Sequence, residues 1–191
     1  MIRALVALLV ALFACACAPG YMFKSDDAFA VLNKNGKPVC SAFAVGPNQV
    51  MTAAHCVAEP GDFSIVSREL FEATSAGSAT AEVDRVDADR DLAWLRTTFK
   101  FRIFLKTRAP RQDEQVTAVS ALYGWKRSPG RVLPGFGIFR DTDVTIRHGW
   151  SGSPVLGLDG RAVGVVVRCW GAYVDGTHVC ANHDMQFSVL P

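Results

Sequence analysis

Apolar residues recur along the chain in short runs, several alternating with polar residues, and breaks rich in Gly, Ser and Pro separate them. Such runs predict β-strands. In the first half the predicted strands are Ala28–Leu32, Pro38–Val45, Gln49–Ala53, Phe63–Val66, Ala81–Val86, Leu92–Leu95 and Phe99–Ile103. In the second half they are Val116–Leu122, Gly130–Phe139, Thr142–Arg147, Pro154–Leu156, Ala162–Cys169 and Phe187–Leu190. Only one helical turn is predicted, at Ala53–Ala58. Many short, closely spaced strands indicate an all-β chain of barrels or a sandwich.

Two polar breaks organise this pattern. Asn33-Lys34-Asn35-Gly36 separates the first two runs, and Asn-Gly between apolar runs is typical of a tight β-hairpin. Arg108-Ala109-Pro110-Arg111 lies between the two halves and is the predicted linker. We therefore expect an N-terminal barrel at residues 28–107 and a C-terminal barrel at residues 108–191.

The first 18 residues differ from the rest of the chain. Arg3 precedes an unbroken apolar run, Ala4–Ala14, that is too short to span a bilayer as a stable helix, which is typical of an export signal. Small residues before Cys15, and secondarily before Cys17, resemble the lipobox of bacterial lipoproteins. The alternative is plain cleavage after residue 16 or 18 with release of a soluble protein. Residues 19–27 would be a tether. We expect an exported protein of the periplasm or cell envelope, anchored to the membrane by lipid.

Composition and charge narrow the choice of function. Of 191 residues half are hydrophobic and a fifth are charged, and the formal net charge of +2 is too small to indicate nucleic-acid binding. The segment from Arg96 to Arg111 nevertheless holds six positive charges and no acid. Such a segment is usually a solvated strand and linker. The alternative is docking on an anionic surface such as a membrane.

Four cysteines follow the leader, and an even number in an exported protein predicts two disulfides. Pairing of nearest neighbours gives Cys40–Cys56 and Cys169–Cys180. The alternative is a metal site made by two of these cysteines with two nearby histidines, namely Cys169, His178, Cys180 and His183. Their spacing matches no standard zinc pattern, so no metal and no cofactor is expected.

Ser151, between Gly149 and Gly152, is the candidate nucleophile. Flanking glycines let the backbone turn sharply, and the amides of Gly149 and Ser151 could then stabilise an oxyanion. A serine hydroxyl also needs a base and an acid that orients the base. His55, which a Cys40–Cys56 bridge would hold at a strand end, is the candidate base. Asp91, at the mouth of an apolar strand, is the candidate acid.

Three segments resemble the trypsin/chymotrypsin-like serine peptidases in order and spacing. They are Thr52-Ala53-Ala54-His55-Cys56, Asp91-Leu92-Ala93 and Gly149-Trp150-Ser151-Gly152-Ser153-Pro154. The resemblance covers the chain from about Ala28 onward and implies two antiparallel six-stranded β-barrels with the active site in the cleft between them. It also implies that His55 is the base, Asp91 its orienting acid and Ser151 the nucleophile, with the oxyanion bound by the amides of Gly149 and Ser151.

The departures from that family concern activation and specificity. Trypsin has Asp before its nucleophile, where this chain has Trp150, which cannot form the ion pair that completes the trypsin site. The Ser-Gly-Ser-Pro sequence resembles bacterial glutamyl-endopeptidase-like and viral members instead. At the positions that would line the specificity pocket stand Thr145, where trypsin has a carboxylate, and Val166, where the glutamyl enzymes have a histidine. The preferred substrate residue stays open.

The resemblance implies an exported serine endopeptidase acting on protein or peptide substrates through an acyl-enzyme on Ser151. The alternative from a different class is a catalytically silent trypsin-like fold that binds a partner.

Overall fold

A computed structural model describes residues 26–74, 76–134, 139–146, 149–174 and 177–190, with the main chain alone from 170 to 184. The export signal and the predicted lipidation sites Cys15 and Cys17 lie outside this range. Within these ranges, no helix has the length and apolar character needed to cross a bilayer.

The first half of the described chain forms a closed barrel of six antiparallel strands in the order β1-β2-β3-β6-β5-β4. Their bounds are β1 Phe29–Lys34, β2 Lys37–Gly46, β3 Gln49–Ala53, β4 Phe63–Ser67, β5 Ala79–Asp87 and β6 Leu92–Thr97. Asn35 and Gly36 have φ of 52° and 75°, the conformation of a two-residue hairpin turn whose twist matches the strands. The predicted hairpin is confirmed. Short 3₁₀ helices at Asp26–Ala28 and Ala54–Val57 precede β1 and follow β3.

The second half forms a six-stranded antiparallel sheet in the order β8-β7-β10-β11-β12-β9. Its strands are β7 Gln115–Ser120, β8 Lys126–Arg131, β9 Phe139–Thr142, β10 Pro154–Gly157, β11 Ala162–Val174 and β12 Thr177–Val189. The edge strands meet where Val132 bridges Thr142 and the Leu133 amide donates to the Asp141 carbonyl at 2.8 Å. The sheet therefore curls onto itself. The prediction of an all-β chain with two six-stranded units is confirmed.

One helix, α1 Arg68–Ala73, was not predicted. Ser67 caps it, because its Oγ accepts from the amide of Leu70 at 3.1 Å, and Arg68 pairs with Glu72 one turn on. A serine followed by helix-forming residues was the available signal. With six residues, α1 is too short to give a clear apolar period.

Three predicted strands were wrong. Phe99–Ile103 is not a strand, although its burial alternates as expected, with Phe101 buried and Lys100 and Arg102 exposed. The chain there packs along the barrel, where the Phe101 amide donates to the Pro47 carbonyl. Gly130–Phe139 and Thr142–Arg147 are not continuous strands either, because pairing runs over 126–131 and 139–142 instead. Strand β8 escaped prediction because it contains Pro129, which an edge strand tolerates.

Two apolar clusters fill the fold. The larger one holds the barrel interior and also side chains of the second sheet, including Val119, Leu156 and Val165. The smaller one lies within the second sheet around Val166, Trp150 and Phe187. The first cluster therefore extends from one unit into the other, which sets the two units against each other.

Candidate active site

His55 lies in the 3₁₀ turn that follows β3, at the end of the closed barrel. The strand before it is anchored on both sides, since β3 pairs with β2 and with β6. The disulfide Cys40–Cys56, with Cα atoms 6.2 Å apart, ties the next residue back to β2. This predicted bridge is confirmed. It closes a loop of about 16 residues, which stabilises by about 3 kcal/mol in the chain-entropy account.

Asp91 meets His55 from the turn before β6. Its Oδ2 lies 2.7 Å from Nδ1 of His55, and its Oδ1 accepts from the backbone amide of His55 at 2.8 Å. The Asp91 carbonyl also accepts from the amide of Ala54 at 2.9 Å. These contacts hold Asp91 at φ 52°, a conformation uncommon outside glycine.

The geometry of this pair sets the imidazole tautomer. A carboxylate accepts hydrogen bonds, so in the neutral imidazole of His55 the proton lies on Nδ1 and Nε2 keeps its lone pair. The Asp91 side chain is 16% exposed and that of His55 is 45% exposed. The carboxylate is thus largely shielded from solvent, while the imidazole is accessible.

The loop of Ser151 packs on the same part of the barrel. The amide of Ser41, next to Cys40 in β2, donates to the carbonyl of Ser151 at 2.9 Å. On the other side the amide of Gly152 donates to the carbonyl of Val166 in β11, also at 2.9 Å. This loop, residues 149–153 with the candidate nucleophile Ser151 (the nucleophile loop), is therefore held between the first barrel and the second sheet by its main chain.

Gly152 allows this close approach. It has φ 78°, and a Cβ there would lie 2.0 Å from the carbonyl oxygen of Ser41 and 2.2 Å from Oγ1 of Thr52. Thr52 stands three residues before His55 and donates to the same Ser41 carbonyl at 2.8 Å. The loop thus reaches the strand that leads to His55, and glycine is needed for it to do so.

Among the described residues no hydrogen bond joins Oγ of Ser151 to His55, or to any other group. Hydrogen bonds of this kind are often long in unliganded enzymes and shorten when substrate binds. The structure brings His55 and Asp91 into direct contact, and it docks the Ser151 loop on Ser41 of β2 and close to Thr52, three residues before His55.

The two amides predicted to bind an oxyanion flank this loop. Neither the N–H of Gly149 nor that of Ser151 donates to a described residue. Gly149 has φ 87°, and a Cβ there would lie 2.9 Å from Cδ2 of Leu122 and 3.0 Å from the Tyr123 hydroxyl. The turn after β7 therefore packs directly against one of the two donors.

Other aspartates near β6 have different partners. Asp84 pairs with Arg96 at 3.0 Å, and Oδ1 of Asp87 accepts from the amide of Arg90 at 3.1 Å. Asp91, the acid predicted from the sequence, is the one bonded to the imidazole.

The residues discussed for specificity and activation lie in different surroundings. Thr145 is exposed, whereas Val166 is 1% exposed and packs within the smaller apolar cluster. The main chain of Val166 bonds to Gly152 and Ser153, so this residue supports the nucleophile loop. Trp150 is buried in the same cluster. An apolar side chain therefore stands at the sequence position where trypsin has its carboxylate.

The second predicted disulfide falls partly outside the description. Cys169 is disulfide-bonded, but the side chain of Cys180 lies outside the described part, as do those of His178 and His183. In the described part, Cys40, His55 and Cys56 place three possible ligand atoms within 4.8 Å of one another. The two sulfurs are bonded to each other, so they offer no thiolates to a metal.

Half of the six cations in the basic segment from Arg96 to Arg111 are paired with acids from elsewhere. Three of its cations form ion pairs: Arg96 with Asp84, Arg102 with Glu69, and Arg108 with both Glu114 and Asp159. Hydrogen bonds from Arg108 hold the pKa values of Glu114 and Asp159 below their usual range. The predicted linker is therefore pinned to the second sheet, and its docking on an anionic surface stays a prediction.

Sequence reasoning missed Ser41 and the turn after β7 as parts of the site. Ser41 contacts the Ser151 loop through its main chain, and the turn packs on Gly149. The available signal was that Ser41 directly follows the bridged Cys40. No sequence signal indicated the role of the turn, because its packing depends on how the two units meet.

The trypsin-like peptidase domain family matches residues 40–165, more than half of the chain. No curated protein matches the sequence. Among solved structures, the active form of the Rv3671c protease from M. tuberculosis is similar with a TM-score of 0.66 and 18% identity, over 86% of this chain and 77% of that chain. An inactive form of that protease gives a TM-score of 0.64 at 18% identity, over 86% and 84%. The apo MamO protease domain from Magnetospirillum magneticum gives 0.64 and 20%, over 87% and 93%. At these identities the likeness concerns the fold alone.

Proposed function

Because the chain belongs to the trypsin-like peptidase family, we propose that it is a serine endopeptidase that hydrolyses peptide bonds through an acyl-enzyme on Ser151. Its substrates are then proteins or peptides. The observation that carries the proposal is the double contact of Asp91 with His55, through the imidazole Nδ1 and the backbone amide. A carboxylate placed in this way leaves Nε2 as the basic nitrogen.

The proposed reaction begins at the Ser151 hydroxyl. Nε2 of His55 takes the proton of the Ser151 hydroxyl as Oγ attacks the peptide carbonyl carbon. The carbonyl oxygen becomes an oxyanion that accepts hydrogen bonds from the amides of Gly149 and Ser151. The imidazolium, stabilised by Asp91, then gives its proton to the leaving amine. Water, activated by the same imidazole, hydrolyses the acyl ester and regenerates the hydroxyl.

A mixture of unstructured peptides tests this function and also reveals the preferred substrate residue. Purified protein is expected to cleave a defined subset of peptide bonds, and Ser151→Ala is expected to cleave none. Thr145 and Val166 are expected to line the specificity pocket. Substituting either residue and repeating the cleavage profile tests whether it determines the preferred substrate residue. Cleavage that persists in Ser151→Ala would contradict the proposed nucleophile.

A catalytically silent fold that binds a partner is the opposing outcome. A fluorophosphonate probe separates the two, because it forms a covalent bond only with an activated serine. Labelling of the folded protein, absent from Ser151→Ala, supports the peptidase. Failure of the folded protein to label supports the silent binder.

We also propose that the protein is exported and anchored by lipid at Cys15 or Cys17. The support is the apolar run after Arg3, the small residues before both cysteines, and a disulfide that forms in oxidising compartments. Mass spectrometry of the mature N-terminal peptide identifies the modified residue, when the parent protein is compared with its Cys15→Ser and Cys17→Ser variants. A mature chain that starts after residue 16 or 18 without a lipid would favour soluble release.

A further inference from the structure

Ser41 is the point at which the first barrel, the nucleophile loop and the turn after β7 are joined. Its amide donates to the Ser151 carbonyl, and its carbonyl accepts from Thr52. Its hydroxyl lies 3.2 Å from the hydroxyl of Ser120, and it also accepts from the amide of Leu122 at 3.4 Å. Every hydrogen-bonding group of this residue is therefore engaged.

The hydroxyl contact is buried and crosses between the two units. Ser41 and Ser120 are both 0% exposed, and they come from β2 and from the last position of β7. A buried hydroxyl without a partner costs free energy, so a matched pair specifies one relative position of the two strands. The end of β7 is thus fixed in position relative to β2 at Ser41, the residue of β2 that binds the Ser151 carbonyl.

The turn that follows β7 links this fixed position to Gly149, one of the two proposed oxyanion donors. It begins directly after Ser120, and the amide of Gly124 donates to the carbonyl of Ala121 to close it. Leu122 and Tyr123 in this turn make the close approach to Gly149, where there is no room for a Cβ. A shift of the turn would therefore move the Gly149 amide relative to the fixed Ser151.

We propose that Ser41 and Ser120 form a positioning pair, whose hydrogen bond holds the turn after β7 against Gly149 and so aligns the Gly149 and Ser151 amides on the reacting carbonyl oxygen. This assignment rests on the proposed peptidase function and adds two residues to it. Neither hydroxyl touches the substrate. Their effect on the reaction passes through the main chain of Ser151 and through Gly149.

The test compares Ser41→Ala, Ser120→Ala and the double variant with Ser188→Ala. Ser188 is a matched control, because it is also a fully buried serine on a strand, but its hydroxyl has no hydrogen-bond partner among the described residues. The readouts are the rate of fluorophosphonate labelling, kcat and KM for 4-nitrophenyl acetate, and hydrogen exchange of the backbone amides. All are measured well below the melting temperature of each variant.

Ser41→Ala is expected to lower the labelling rate and kcat about tenfold, a fraction of the loss caused by removing an oxyanion donor outright. KM and the pH at which labelling is half-maximal should stay unchanged, because the His55–Asp91 bond is not touched. Ser120→Ala should have a smaller effect, since Ser41 keeps Leu122 as a partner. The double variant should be no slower than Ser41→Ala, because both changes break one interaction.

The hydrogen-bonded amides of Leu122, Gly124, Gly152 and Ser153 should exchange faster in Ser41→Ala and not in Ser188→Ala. Unchanged exchange at these amides, or labelling of folded Ser41→Ala within twofold of the parent protein, would overturn the positioning role. If the parent protein itself does not label, the proposed peptidase function fails, and hydrogen exchange still decides whether the pair positions the turn.

Discussion

The two halves of the candidate site are held in different ways. In the first barrel, the candidate base His55 is fixed by side chains and by a covalent bond. The carboxylate of Asp91 contacts both the imidazole and the backbone amide of His55, and a disulfide ends at the adjacent Cys56. In the second half, Ser151 is fixed by its main chain, through Ser41 on one side and the bond from Gly152 to Val166 on the other. The half of the site around His55 is thus held mainly by side-chain contacts, and the half around Ser151 by backbone contacts.

This difference predicts what each half tolerates. The base half should lose function when a side-chain atom changes, even if the fold survives. The nucleophile half should be most sensitive to any atom that keeps its backbone away from β2.

Gly152→Ala should cause the largest loss. The added Cβ would meet the Ser41 carbonyl, which is backbone and cannot move aside, so the nucleophile loop must leave the barrel. We expect labelling by a fluorophosphonate to fall by about a thousandfold or more, as expected when the oxyanion donors and the nucleophile are displaced together. The measurement is the labelling rate of the folded fraction.

Gly160→Ala is the matched control for that change. Gly160 has φ 74°, close to the 78° of Gly152, but a Cβ there meets nothing within 4 Å. It should reduce the free energy of unfolding by only about 1–2 kcal/mol, the left-handed penalty, with little change in labelling. Equal loss of labelling in both variants would mean that backbone strain, and not the contact with β2, limits the loop.

Asp91→Asn should follow in size. The Asn oxygen can still accept from the His55 amide, so the fold should persist, but an amide N–H facing Nδ1 favours the tautomer with its proton on Nε2. Labelling should fall by about 10³–10⁴, as for loss of the correct tautomer in other triads. Asp84→Asn, which removes a surface pair with Arg96, should label at the parent rate. A slow Asp84→Asn and a normal Asp91→Asn would reverse our assignment of the acid.

Removal of the disulfide by Cys40→Ala with Cys56→Ala should have an intermediate effect. The free energy of unfolding should fall by about 3 kcal/mol because the loop is no longer closed. Since these residues adjoin Ser41 and His55, labelling of the folded protein should also fall, by about tenfold, through misplacement of the imidazole. Loss of stability with no loss of labelling in the folded fraction would leave the bridge no special role at the site.

Arg108→Met should affect stability and leave the site intact. The pKa values of Glu114 and Asp159 are lowered by hydrogen bonds from Arg108, so their ionised forms stabilise the folded state above the ordinary carboxyl pKa. That contribution is lost as the pH falls through the lowered values. The variant should be less stable by about 2 kcal/mol at pH 7, measured by chemical denaturation, and the difference should shrink below about pH 4. A difference that grows on acidification would contradict this account.

Much of the site could be predicted because it depends on local sequence. Thr52 to Cys56 form a strand end and the 3₁₀ turn that directly follows it, and Asp91 directly precedes a strong apolar strand. The hairpin at Asn35 and Gly36 follows from residues that tolerate a positive φ. In each case the residues that determine the structure are adjacent in the sequence.

The rest depends on contacts between distant segments. Strand β8 contains Pro129 and Gly130, and it forms because β7 offers a partner at an edge. Phe99–Ile103 has the alternation of a strand but receives no strand partner. The hydroxyl pair of Ser41 and Ser120 joins residues 79 positions apart, and no local pattern predicts it. Tertiary packing decided these cases against local preference.

A crystal structure of the protein after reaction with a peptidyl phosphonate would test the central claim most directly. We expect phosphorus bonded to Oγ of Ser151, its oxygen within about 3 Å of the amide nitrogens of Gly149 and Ser151, and Nε2 of His55 within about 3 Å of Oγ. A phosphonate bonded elsewhere, or an imidazole that stays out of contact with Oγ in the adduct, would contradict it.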